Sequence, residues 1–492
     1  MAEFPLLSAA IFIPAIGALL VLLLGANVRN ARAIAVGVVV IDFLISLQLF
    51  TQFKEGYEFE ERIHGWIPLL DSSYHLAADG LSITLILLTG LIGLVAVLGS
   101  MTVSLRVREY FIWLLLLQTS VMGVFAAQDL ILFFVFWELE LIPMYFLISI
   151  WGSGRKEYSA MKFLIFTLAG SAFMLVGILT LFFSTGTFGM QELLEQDLSS
   201  GLLLPTGLVF TLFFIGFAVK LPLWPVHSWL PDAHTDAPTA VSVMLAGVLL
   251  KLGGYGLLRI NVGFFPETTA TFAWALAALA VVSILYGAAI TLRQTDLKRL
   301  IAYSSISHMG FVLLGIASVG ASGAVNSIGL TGAALQLFTH GTITGLLFLL
   351  VGLVYERAHT RSIADLGGLA ARIPFITVAF LVGGLAALGL PGLSGFVAEV
   401  LVFLGTFPVY GWATAAAAVS IVLAAGYILW TIQRVLFGPS YERYADMQDA
   451  TWYEKIPVVL LIISIVVVGL YPSLLTDVLS EGIMGMLGNF LG

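Results

Sequence analysis

Cysteine is absent from the 492 residues of this chain, and charge is scarce: 10% of residues are charged against 60% hydrophobic. Without thiols there is no disulfide, no thiolate metal site and no cysteine-ligated iron–sulfur cluster, and the sequence is blind to redox compartment. Soluble domains carry about 25% charged residues, so a large water-surrounded core is excluded. A mean hydropathy of +1.05 points instead to a polytopic membrane protein. The formal net charge of −8 leaves no basic surface for nucleic acid. No GxGxxG or P-loop pattern occurs, so no nucleotide site is read. The first twenty residues lack a basic n-region and a small-residue cleavage site, and they read as a first span rather than a leader.

What is present is apolar sequence in long runs. A helix needs about 20 residues to cross a hydrocarbon core of ~30 Å. Fourteen windows qualify, near 6–26, 32–52, 79–101, 109–126, 128–151, 160–185, 204–226, 238–260, 270–291, 300–319, 325–354, 374–404, 409–437 and 455–476. No strand alternation and no Gly/Ser linker separates them, so the fold class is all-α: one membrane domain of about 14 transmembrane helices. The basic residues test the count. Sixteen, from Arg29 to Lys455, fall in alternate loops on one side, and only Lys54, Arg62 and Arg259 on the other. With Lys220 and Lys251 left in the membrane, these account for all 21. By the positive-inside rule both termini face the periplasm or lumen.

Two spans look broken. In the seventh, Lys220 is followed by LPLWP, where Pro222 and Pro225 remove helical hydrogen bonds; in the twelfth, LGLPGLSGF places Gly and Pro in mid-run. Non-helical backbone survives at membrane depth only where protein or a watery cavity satisfies it. Interruptions five spans apart imply two repeats of opposite orientation, which is a pointer to a transport path. The expected division is 1–105 (spans 1–3), 106–262 (spans 4–8), 263–437 (spans 9–13) and 438–492 (last span and tail).

The ionisable residues inside these spans carry the chemistry. A lysine at mid-membrane costs about 2.5–3.5 kcal/mol on insertion scales, yet Lys220 and Lys251 are both kept, with Glu138, His308, His340 and Glu399 in similar settings. Such a set reads as one that moves charge, the bland reading being paired structural ions. A Glu138–Lys220 pair is a candidate gate, or else a fixed tie between spans 5 and 7. Glu140 lies about 200° further around a straight helix and is expected to point away, toward lipid headgroups, a sister subunit or a second pathway. Lys251 precedes Gly253 and Gly254, which allow close helix approach. Imidazole titrates near neutrality and has two nitrogens, so His308 and His340 are candidate proton relays; Ser304, Ser305, Ser307, Thr339 and Thr342 lie around them and could hold water. Glu399 is the last ionisable group before the outer side. His227 and His234, with Asp232 and Asp236, resemble a metal pair, but Pro225, Pro231 and Pro238 favour a short loop and an N-cap for span 8.

The stretches LFFVFWELELIPMYFLISIWG, VKLPLWPVHSWLPDAHTDAPTAVSVMLAGVLLKLGGYGL, TDLKRLIAYSSISHMGFVLLGIAS and LGLPGLSGFVAE resemble the antiporter-like membrane subunits of complex I. The specific match is the M subunit family, chain 4 of type I NAD(P)H–quinone oxidoreductase. The resemblance implies that Glu138, Lys220, Lys251, His308 and Glu399 carry protons, with His340 as a further relay. It implies no redox cofactor in this chain; quinone, Fe–S clusters and flavin or ferredoxin would sit elsewhere in the complex. Expected partners are other membrane subunits, including sister antiporter-like subunits, and lipids. The sister L and N subunits and the Mrp-antiporter D subunit usually carry Lys where this chain has Glu399, so Glu there favours the M type. The wording looks closest to cyanobacterial and plastid versions, which use ferredoxin and plastoquinone. The expected location is a bacterial inner or cyanobacterial thylakoid membrane. Competing classes are an Mrp-type cation/proton antiporter subunit, a membrane subunit of an energy-converting hydrogenase, and a structural spacer.

Overall fold

The computed structural model describes residues 5–68, 72–320 and 327–491. Among these, twelve helices are long and apolar enough to cross a membrane, and the chain is a multi-pass integral membrane protein. Two shorter apolar helices, Thr206–Lys220 and Pro374–Ala387, stand where the seventh and twelfth spans were expected. Twelve long helices and two truncated ones thus occupy the expected windows, with the seventh and twelfth broken as expected. The cause is local: the chain leaves helical geometry after Lys220, and again over 388–393, where Gly389 (φ 81°) and Gly392 (φ 91°) flank Pro391. The second half of the twelfth span resumes at Ser394. It continues as one 42-residue run to Val435, with a kink at Tyr410 just after Pro408 that separates it from the thirteenth.

The fold also departs from all-α. Residues Phe59–Ile67 and Ser72–Ala78 form an antiparallel hairpin, β1 and β2, between the second and third spans. Its outer strand is mostly solvated and carries Glu60, Glu61 and Arg62, so no apolar alternation advertises it. Glu61 accepts hydrogen bonds from the Leu7 and Ser8 amides, capping the first helix with a side chain from the hairpin. Buried His75 in β2 bonds Glu60 at 2.8 Å.

Burial is graded across the bundle. The helices Thr239–Val262 and Ser327–Ala358 are enclosed over their most apolar stretches, whereas the first two helices show exposed apolar surfaces. A helix apolar on all sides belongs at the centre, and these two carry Lys251 and His340. The central helix approaches the broken end of Thr206–Lys220 at Gly253, as the glycine expectation required. A Cβ at 253 would lie 2.5 Å from the Leu221 nitrogen and 2.7 Å from the Phe217 oxygen.

Gly253→Ala is thus expected to cost about 1–3 kcal/mol by overpacking, read as a lower Tm of the detergent-solubilised protein. The hairpin should also respond to pH. Burial holds the His75 pKa below the ordinary 6.5, against the raising pull of Glu60. The neutral ring therefore contributes its full stabilisation above pH 6.5, and this is lost as pH falls below that value. Amide exchange over 72–78 should accelerate on mild acidification, and a flat profile would contradict the account.

Candidate functional site

Glu140, and not Glu138, forms the ion pair with Lys220. The expectation that Glu140 points away is overturned, and the stripe of burial along this span explains why. Phe133, Phe136, Trp137, Glu140, Leu141, Met144 and Leu147 form the inward face at helical spacing, and Glu140 has no exposed surface. Pro143 has no N–H to give the Leu139 carbonyl, and the span divides at Glu140 into Leu130–Leu139 and Leu141–Trp151. Glu138 lies on the half-buried flank beside exposed Val135, Leu139 and Ile142, within electrostatic range of Lys220.

Lys220 sits where its helix ends. Its ammonium lies 5.3 Å from the Trp137 ring centre and 5.6 Å from that of Phe163, in an aromatic box suited to a cation. The carbonyl of Val219, at the broken helix end, accepts from the Trp229 indole at 3.0 Å. The chain then turns back inside as a two-turn helix, Trp229–Asp236, in place of the expected loop. Asp236 does not cap span 8 either: Pro238 occupies the N-cap, and Asp236 accepts from the Ser159 hydroxyl at 2.6 Å.

Lys251 is fully buried. A π-helical turn, Leu245–Leu249, precedes it, and the lysine side chain donates to the Ala246 carbonyl in that turn. On its other side Nζ meets His340 Nδ1 at 2.8 Å. His340 faces His308 edge-on with ring centres 5.7 Å apart, and its Nε2 has no protein partner. His308 bonds the backbone of Ala387, the last residue before the second helix break. Beyond that break the Glu399 carboxylate is buried against Gly389, where a Cβ would lie 2.8 Å from Oε2. Five of the expected residues, Lys220, Lys251, His340, His308 and Glu399, are thus buried between the two breaks, and Lys251, His340 and His308 are in direct succession. The surrounding hydroxyls are committed as donors: Ser304 and Ser305 to Ile301, Ser307 to Ile284, and Thr342 to Thr339. They offer only lone pairs to water.

Reading along the chain missed three groups. His234, assigned to a loop, is fully buried, stacks on Phe348 at 4.4 Å, and has no partner for either ring nitrogen. It lies within electrostatic range of both Lys251 and Lys298. Lys298, counted among loop cations, turns inward to the Ala237 carbonyl at 2.6 Å while Asp296 caps its helix. Asp42 is buried in the second span, 2.5 Å from the Gln118 amide nitrogen. For His234 the available signal was the preceding helix break, which returns the chain to membrane depth. Among the described residues no group of three or more His, Asp or Glu gathers as a metal site.

An enclosed series of ionisable groups meeting at two broken helices defines the antiporter-like class of membrane subunit. Residues 127–424 match the family described as NADH:quinone oxidoreductase/Mrp antiporter, TM, and the chain belongs to it. The chain is 42% identical to NADH-quinone oxidoreductase subunit M of Rhodobacter capsulatus, over 94% of this chain and 91% of that one. It is equally identical (42%) to NAD(P)H-quinone oxidoreductase chain 4 1 of Synechococcus sp. (strain JA-3-3Ab), over 96% and 91% of the respective chains. In structure it is similar to a chain of respiratory complex I from Thermus thermophilus with bound NADH. That match has a TM-score of 0.88 at 30% identity and covers 99% of this chain and 100% of the other.

Removing one member of a buried pair leaves an uncompensated charge, at a cost of about 3–5 kcal/mol. Glu140→Gln should therefore lower the Tm markedly, while Glu138→Gln, on the half-buried flank, should change it little. The reverse order would restore Glu138 as the partner of Lys220.

Proposed function

We propose that this chain is a proton-translocating, antiporter-like subunit of a complex I-type NAD(P)H or ferredoxin:quinone oxidoreductase. The observation that carries the reading is the buried contact series Lys251–His340–His308, which ends at the helix break beside Glu399. Buried ionisable side chains at membrane depth are functional by default, because hydrocarbon penalises each one. Family membership supplies the reaction context; the redox chemistry, with its quinone, Fe–S clusters and flavin or ferredoxin, belongs to other subunits. The two sets of spans, 106–262 and 263–437, act as inverted repeats, each contributing one broken helix.

In this mechanism Lys220 is held by Glu140 and addressed by Glu138. Glu138 sits on the half-buried flank, beside which a sister subunit would dock and change its charge. A negative Glu138 competes with Glu140 for the Lys220 ammonium and changes the field at Lys251. Lys298 and His234 provide access from the basic, cytoplasmic side. From Lys251 the proton passes through the two nitrogens of His340 and then through His308, and leaves by Glu399. The membrane is a bacterial inner or thylakoid membrane with both termini on the periplasmic or lumenal side, and sister antiporter-like subunits and lipids flank the chain. Glu399 weighs against an Mrp-type cation antiporter, whose D subunit usually has Lys there.

Lys220→Ala and Lys251→Ala complexes in liposomes, with proton uptake and electron transfer followed together, test the proposal. Pumping is expected to fall in both while the complex stays assembled. Full pumping by both would reduce the chain to a scaffold. Sodium-dependent transport would favour the cation antiporter.

A further inference from the structure

A second polar line leaves Lys251 along its own helix. Lys251, Tyr255 and Arg259 follow at four-residue intervals on the span Thr239–Val262, toward the end opposite the basic loops. The Tyr255 hydroxyl donates to the Phe125 carbonyl at 3.1 Å and meets the Ser82 hydroxyl at 3.2 Å. Arg259, almost wholly buried, donates from Nε to that tyrosine at 3.3 Å and from Nη2 to Ser82 at 3.1 Å. The same Nη2 reaches Asp79 at 2.6 Å. Asp79 is one-third exposed and opens into a cavity of about 420 Å³ whose lining includes Glu58, Glu60 and Glu481 as well as Arg259.

The consequence is electrostatic. A vestibule with four carboxylates and one buried cation at its floor concentrates protons on the outer side. Below the floor, the Tyr255 hydroxyl, bonded to that of Ser82, belongs to the helical turn next to that of Lys251. A pump with such a line needs a stop, or protons driven out through Glu399 would return down it. Arginine remains charged at any working pH, and a fixed cation in a narrow polar passage excludes protons. If the Arg259–Asp79 pair served packing alone, an apolar pair of similar volume would do as well.

We propose that Arg259 is a proton barrier that seals the outer vestibule from Lys251, held in place by Asp79, Ser82 and Tyr255. The assignment rests on the proposed role of Lys251 and adds a return path that has to be closed. Asp79 is a positioning residue here: its Oδ1 caps the helix Gly80–Leu98 by accepting from Leu81 and Ser82, while Oδ2 holds the guanidinium.

The test is passive proton permeability of the complete complex in liposomes, without electron donor, after an imposed pH step. Arg259→Gln should speed collapse of the gradient roughly tenfold, the factor a unit charge exerts on a passing hydronium about 10 Å away at an effective dielectric of about 20. Arg259→Lys should stay tight because it keeps the cation. Asp79→Asn should also stay tight, since it keeps the cap and the cation, which Ser82 and Tyr255 still hold. Adding Lys251→Ala to Arg259→Gln should restore the slow rate, because the path then lacks its inner end. Should Arg259→Gln fail to assemble, the double variant Asp79→Asn/Arg259→Gln, neutral at both positions, carries the same expectation of leak. A tight membrane with assembled Arg259→Gln, or equal leak from Asp79→Asn, would overturn the barrier. Normal pumping by Lys251→Ala would instead overturn the translocation reading on which it rests, so the two failures are distinct.

Discussion

The central constraint is that a charge placed in hydrocarbon must be met by polar groups that the surrounding helices have already committed to themselves. An intact α-helix spends its carbonyls internally. This protein meets the constraint by breaking helices beside its charges. Lys220 stands at the end of a truncated span, Lys251 takes the Ala246 carbonyl from a π-turn, and His308 meets the backbone of Ala387 at the edge of the second break. The remaining valences are met by partners on other helices: Glu140 for Lys220 and His340 for Lys251. The breaks and the ionisable residues are one feature, and glycines at 253 and 395 let the neighbouring segments close around it.

Much of this was legible in the sequence because hydrocarbon makes exceptions conspicuous. A lysine or histidine inside an unbroken apolar run has few explanations, so Lys220, Lys251, His308, His340 and Glu399 stood out. Proline and glycine in mid-span marked both breaks. The offset of about 200° on a straight helix separates Glu140 from Glu138 but does not say which of the two faces is buried. The spacing Phe133, Trp137, Glu140, Met144 contains the answer, since it places Glu140 on the apolar stripe and Glu138 beside it. His234 was hidden by its proline-rich surroundings, which signal a loop in most proteins but here accompany a return into the bundle. Arg259, Asp79 and Lys298 lie near span ends, where a charge is ordinary; only packing shows that two of them are buried cations. The hairpin escaped notice because its exposed strand carries charges where an alternating pattern would carry apolar residues.

The distribution of burial relates the site to the assembly. The spans bearing Lys251 and His340 are enclosed by this chain alone. Glu138, by contrast, is half-buried at an apolar edge. The Glu140–Lys220 pair lies on the adjoining, inward face of the same span.

The central claim is that the enclosed charges form one hydrated line between the helix breaks. High-resolution cryo-electron microscopy of the assembled complex tests it most directly. The account predicts ordered water joining Lys251, His340 and His308 to Glu399, with waters bonded to His340 Nε2 and to the open backbone at 388–393. A dry, apolar gap between His308 and Glu399 in every resolved state would contradict it.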